Sequence, residues 1–71
     1  MPEKTLIHGF SVVYEPNASG GVHYLMYDLD LDEAKVFFNQ ARQRGEAEFE
    51  DDLERKYTLF YKNGIYTLTK R

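Results

Sequence analysis

The sequence predicts an α+β domain of order ββαβββ, a five-stranded antiparallel sheet with one helix packed on one face. Three observations carry that expectation. Apolar residues recur at every second position on both sides of a single segment with helical spacing, Leu31 to Arg44. That segment has start and stop signals at its two ends. Asn63-Gly64, between two alternating runs, marks a tight hairpin. With 71 residues there is room for one modest core, so residues 1–71 read as a single domain.

The first strand is expected over Thr5 to Glu15, where Leu6, Phe10, Val12 and Tyr14, with His8 in the same row, take alternate positions. Pro16-Asn17-Ala18-Ser19-Gly20-Gly21 gathers turn formers, and alternation resumes from Val22 to Leu29, which predicts a hairpin. Placing Leu25, Tyr27, Leu29 and Leu31 beside Leu6, Phe10, Val12 and Tyr14 makes one face strongly apolar. A slip of one residue would turn a whole row to the other side.

The helix is predicted from Leu31 to Arg44. Asp30 can cap it, Glu33 can reach back to close a capping box, and Asp32 and Glu33 suit the positive end of the helix dipole. Ala34, Phe37, Phe38 and Ala41 follow the spacing of a buried stripe, with Lys35 and Gln43 left wet; Gly45 is the natural stop.

In the third strand Ala47 and Phe49 alternate with Glu46, Glu48 and Glu50. In the fourth, Tyr57, Leu59 and Tyr61 alternate with Lys56, Thr58, Phe60 and Lys62. A type I′ turn at Asn63-Gly64 then sets Lys62 against Ile65, Tyr61 against Tyr66 and Leu59 against Leu68. A short loop around Asp52-Leu53-Glu54 sets Phe49 beside Tyr57 and Glu50 against Lys56. The strand order that keeps every neighbour antiparallel and puts the glutamate-rich strand at an edge is third-fourth-fifth-first-second, since charge at an edge discourages pairing with other chains.

Composition narrows the function classes. The chain is 42% hydrophobic and 15% aromatic, too apolar for disorder, yet it holds no run of the ~18 apolar residues that a membrane span needs. Its start, Met-Pro-Glu-Lys-Thr, lacks the basic and apolar regions of a signal peptide, so a soluble cytoplasmic protein is expected and the sequon Asn17-Ala18-Ser19 is set aside. Zero cysteines remove disulfides, thiolate ligands and thiol nucleophiles together. A net charge of −3 makes broad attraction to phosphate backbones unfavourable.

No catalytic, metal-binding or cofactor-binding residue is assigned, and no cofactor is expected. His8 and His23 fall far apart along the first hairpin. Counting a calcium loop from Asp28 puts Glu33 and Asn39 where glycine and glutamate are needed, so Asp28, Asp30, Asp32 and Glu33 read as strand-end and capping acids. Ser19-Gly20-Gly21 leads into a strand in this scheme, whereas a phosphate cradle leads into a helix.

Two surfaces remain as candidates for partners. One is the apolar part of the outer sheet face, with Val13, Tyr24, Met26, Phe60 and Ile65, alongside Ile7 and Val22. The other is the acidic strip Glu46, Glu48, Glu50, Asp51, Asp52 and Glu54, which suits a basic protein surface. The leading expectation is a small non-enzymatic protein-binding or regulatory domain, with a homodimer through the open sheet face as one form of it. The alternative is a nucleic-acid-associated protein using the dispersed cations Arg42, Arg44, Lys56, Lys62, Lys70 and Arg71, although aromatic residues amid acids make a poor stacking platform. A small enzyme ranks third.

Overall fold

The computed structural model of the chain describes residues 2–71. Its sheet has five strands: β1 (Glu3–Ile7), β2 (Phe10–Tyr14), β3 (Glu46–Glu50), β4 (Lys56–Lys62) and β5 (Ile65–Lys70). They lie in the order β1-β2-β5-β4-β3. The C-terminal half follows the expected geometry closely. Asn63 and Gly64 take positive φ, 52° and 82°, and Lys62 faces Ile65, Tyr61 faces Tyr66 and Leu59 faces Leu68. Phe49 faces Tyr57, Glu50 faces Lys56, and acidic β3 is an edge strand.

Helix α2 spans Leu31–Arg44, the range its signals predict. The Glu33 amide donates to Asp30 Oδ1 at 3.0 Å and the Asp30 amide to Glu33 Oε1 at 3.2 Å, which completes the capping box. Gly45 ends the helix at φ 90°. Ala34, Phe38 and Ala41 are buried and Phe37 is half-buried, while Lys35 and Gln43 are exposed.

The N-terminal third departs from the expectation in three ways. The segment read as one long first strand is a hairpin, because His8 and Gly9 take φ 51° and 88° and turn the chain between β1 and β2. A two-residue turn sets Ile7 against Phe10, so the inward row changes by one residue: Ile7 is 0% exposed and Leu6, expected inside, is 63% exposed. Positive φ at a histidine is uncommon. Here the imidazole is tethered, with Nε2 lying 3.0 Å from the Leu25 carbonyl and 3.2 Å from the Leu29 carbonyl.

The segment read as turn plus second strand is helical, so two helices, not one, pack against the sheet. A 3₁₀ turn, Pro16–Ala18, leads into α1, Ser19–His23, and then into a π-helical turn, Tyr24–Asp28. Proline at the first helical position loses no hydrogen bond. Ala18, Val22 and Leu25 then fall on one stripe and are buried, while Tyr27, which strict alternation would place inside, is exposed.

The glycines serve close approach here and not a turn. A Cβ on Gly21 would lie 2.9 Å from the Tyr57 ring and 3.1 Å from Leu68; one on Gly20 would meet the Arg55 guanidinium and Tyr57 hydroxyl at 2.7 Å. Gly21→Ala is therefore expected to lower stability by ~1–3 kcal/mol through overpacking, outweighing the ~1 kcal/mol by which alanine favours a helix. Gly20→Ala should be destabilising as well, since the Arg55 guanidinium ends a flexible side chain but the buried Tyr57 hydroxyl, also 2.7 Å away, cannot swing aside. Urea titrations of the two variants check this, and a midpoint equal to the parent's in either would contradict it.

The third departure is strand direction. The other three pairings are antiparallel, but β2 and β5 run parallel, with Val12 opposite Tyr66 and Tyr14 opposite Leu68, so the sheet is mixed. With helices in place of the expected second strand, the chain reverses once less and enters β3 in the direction of β2. Two antiparallel steps then leave β5 parallel to β2. The core lies between the sheet and the two helices, built from Ile7, Val12, Leu25, Phe38, Tyr57, Leu59 and Leu68 among others. Among the described residues no helix is long and apolar enough to cross a membrane.

Candidate functional site: the open sheet face

Because strand side chains alternate, inward rows on all five strands imply outward rows as well. The face turned away from the helices carries Lys4 and Leu6 from β1, Ser11 and Val13 from β2, and Ile65, Thr67 and Thr69 from β5. From β4 it takes Lys56, Thr58, Phe60 and Lys62, and from β3 Glu46, Glu48 and Glu50. Ile65 is 46% and Phe60 40% exposed. Leu6, Val13 and Ile65 line a shallow groove with Lys4 and Ser11.

One row crosses the whole sheet. Lys4 faces Val13, Val13 faces Thr67, Thr67 faces Phe60, and Phe60 faces Glu46. The row thus runs from a cation on one edge strand to an anion on the other, with apolar groups and a threonine between.

Of the five residues expected at an interface, Val13, Phe60 and Ile65 share this face. Tyr24 and Met26 do not: they lie in the π-helical turn, half-buried against the core, with the Tyr24 ring stacked 6.0 Å from that of Phe49. Ile7 and Val22 are core residues. Leu6 was missed as a surface residue. Only recognition of His8-Gly9 as a turn would have found it.

The acidic strip is divided by the fold. Glu46, Glu48 and Glu50 project from edge strand β3, where Glu48 pairs with the Arg71 guanidinium and Glu50 faces Lys56. Asp52 and Glu54 are exposed in the following loop. Asp51 is buried and engaged. Its Oδ1 accepts from the amides of Leu53 (3.0 Å) and Arg55 (2.9 Å), and its Oδ2 from Arg55 Nε (2.7 Å) and the Tyr57 hydroxyl (3.2 Å). Burial alone would raise the Asp51 pKa, but the Arg55 amide and side chain and the Leu53 amide together bring it below the ordinary value.

Beside this loop a cleft opens toward α1, lined by Ser19, His23, Tyr24, Asp28, Asp52 and Arg55. Partial burial, then the charge of neighbouring Asp28, raises the Asp52 carboxyl. Tyr24 is raised by burial and then by Asp52 and Asp28. Among the described residues no group of three or more His, Asp or Glu side chains is placed to hold a metal ion. His23 is exposed in α1 and His8 sits in the β1–β2 turn, tied to backbone carbonyls. Asp30 and Glu33 are occupied as the α2 cap. The expected cations are spread over the end of α2 (Arg42, Arg44), strand β4 (Lys56, Lys62) and the C-terminal residues Lys70 and Arg71.

Comparison with protein-family models, curated proteins and solved structures found no match to the chain.

Proposed function

We propose that this small folded domain is a non-enzymatic protein-binding module that self-associates through its open sheet face and works in the cytoplasm. The observation that carries the reading is the set Leu6, Val13, Phe60 and Ile65, exposed or half-exposed together on a sheet face that no helix covers. A sheet is stable with one solvated face when that face is polar, and clustered apolar groups there gain by being covered. The absence of cysteine suits a reducing compartment.

Phe60→Lys tests it, because it puts a charge into the patch and leaves the helix-covered face untouched. Sedimentation equilibrium of the parent should show mass rising toward a dimer with concentration, and the variant should stay monomeric. Its melting should stay close to the parent's, as outer-face substitutions usually alter stability by no more than ~0.5 kcal/mol. A parent that is monomeric at millimolar concentration, or equal association in both proteins, overturns the reading.

A further inference from the structure

The cross-sheet row Lys4–Val13–Thr67–Phe60–Glu46 is antisymmetric in charge about the central strand β5. Lys4 and Glu46 are four strand spacings apart, on the order of 19 Å, so they cannot meet within one chain. Among the described residues neither joins a salt bridge. From this we infer that two copies of the chain pack open face to open face about a two-fold axis lying in the interface and running along β5. The inference rests on the open face being the contact surface.

The symmetry decides the pairing. A two-fold interface brings the same patch of both copies together, so the patch must complement itself. Rotation about an axis along β5 lays β1 of one copy over β3 of the other, β2 over β4, and β5 over β5. Lys4 then meets Glu46 of the second copy, twice per dimer. Val13 meets Phe60 of the second copy, and Thr67 and Ile65 each meet their own counterparts. An axis across the strands would instead set Lys4 on Lys4 and Glu46 on Glu46, which like-charge repulsion disfavours. Aligned packing of two sheets offsets their strands by about 30°, within the reach of a lysine and a glutamate side chain. The product is a four-layer sandwich with the helices of both copies outermost.

Area sets the expected strength. Five strands at ~4.8 Å spacing and strands of about five residues at ~3.3 Å give a face on the order of 19 by 17 Å. That is small for a specific interface, so the dimer should be weak and its formation concentration-dependent.

Charge exchange tests the arrangement apart from the surface. Lys4→Glu makes both edges of the face acidic and Glu46→Lys makes both basic. Each variant alone should dimerise on the order of tenfold more weakly than the parent at low salt, with the difference shrinking as salt rises. Mixed in equal amounts, with one variant isotopically labelled, they should form the mixed dimer well above the half expected from random pairing, read by native mass spectrometry. If the mixed species shows no preference while Phe60→Lys still abolishes the dimer, the two-fold along β5 is wrong and the open face stands. If Phe60→Lys leaves association unchanged or the parent is monomeric, the face itself is not the interface, and this arrangement falls with it.

Discussion

Truncation of Phe38 to alanine should remove ~3–5 kcal/mol of stability, the usual cost of deleting a buried phenylalanine side chain. A domain of this size has only about 4–10 kcal/mol in total, so the variant should be largely unfolded, or marginally folded at best. Phe38 is fully buried at the centre of a three-ring cluster. Its ring stacks on Phe10 at 4.2 Å and meets Tyr66 edge-on at 4.9 Å, while Phe10 meets Tyr66 at 5.6 Å. The cluster ties α2 to β2 and β5, the two strands joined by the parallel pairing, so the cavity would open where the two halves of the sheet meet. Phe37 touches Phe49 at 5.3 Å and is only half-buried, so Phe37→Ala should cost clearly less. Urea unfolding followed by circular dichroism ranks the two, and a Phe38→Ala midpoint equal to the parent's would mean the cluster does not hold the halves together.

Local signals sufficed where the interactions are local. The α2 cap involves Asp30 and Glu33, three residues apart, and the β4–β5 turn depends on Asn63 and Gly64 alone. Both are legible from sequence spacing. The N-terminal third depends on contacts from far along the chain. His8 holds its left-handed turn through carbonyls of Leu25 and Leu29, and Gly20 and Gly21 are small because Arg55, Tyr57 and Leu68 press on α1. Without those partners in view, Ser19-Gly20-Gly21 resembles a loop and Leu6 to Tyr14 resembles one uninterrupted strand.

The same division governs the candidate site. Val13, Phe60 and Ile65 kept their outward side because the inward residues of β2, β4 and β5 were assigned correctly. Leu6 changed side with the turn at His8-Gly9, and Tyr24 and Met26 changed because a helical stripe replaced an alternating one. Asp51 looked like one more acid in a solvated run. Its burial follows from Arg55 and Tyr57, which sit four and six residues on and face back across the loop.

Replacing Asp51 should therefore act on folding more than on binding. In Asp51→Ala the amides of Leu53 and Arg55, the Arg55 guanidinium and the buried Tyr57 hydroxyl lose their shared acceptor. Breaking a fully buried ion pair typically costs ~3–5 kcal/mol, but the Arg55 side chain is 42% exposed and can be rehydrated, so ~2–3 kcal/mol is expected. Asp51→Asn keeps an acceptor for the loop amides and should cost less. The pH dependence separates charge from shape. Since the folded Asp51 pKa lies below its unfolded value of ~3.9, its contribution is complete above that value and is lost as pH falls through the folded one. The stability gap between parent and Asp51→Asn should hold steady through neutral pH and narrow below about pH 4. Asp52 works in the opposite sense, because its folded pKa is raised, first by burial and then by Asp28, and protonation relieves it as pH falls. Asp52 is present in both proteins, so its effect cancels in the comparison. At the alkaline end, burial and then Asp51 raise the Tyr57 hydroxyl, so its stabilisation is lost as pH rises through a folded value above ~10. Denaturant titrations of parent and Asp51→Asn from pH 7 to pH 2.5 supply the test, and a gap of constant size across that window would mean that the ionised carboxylate does not hold the β3–β4 loop in place.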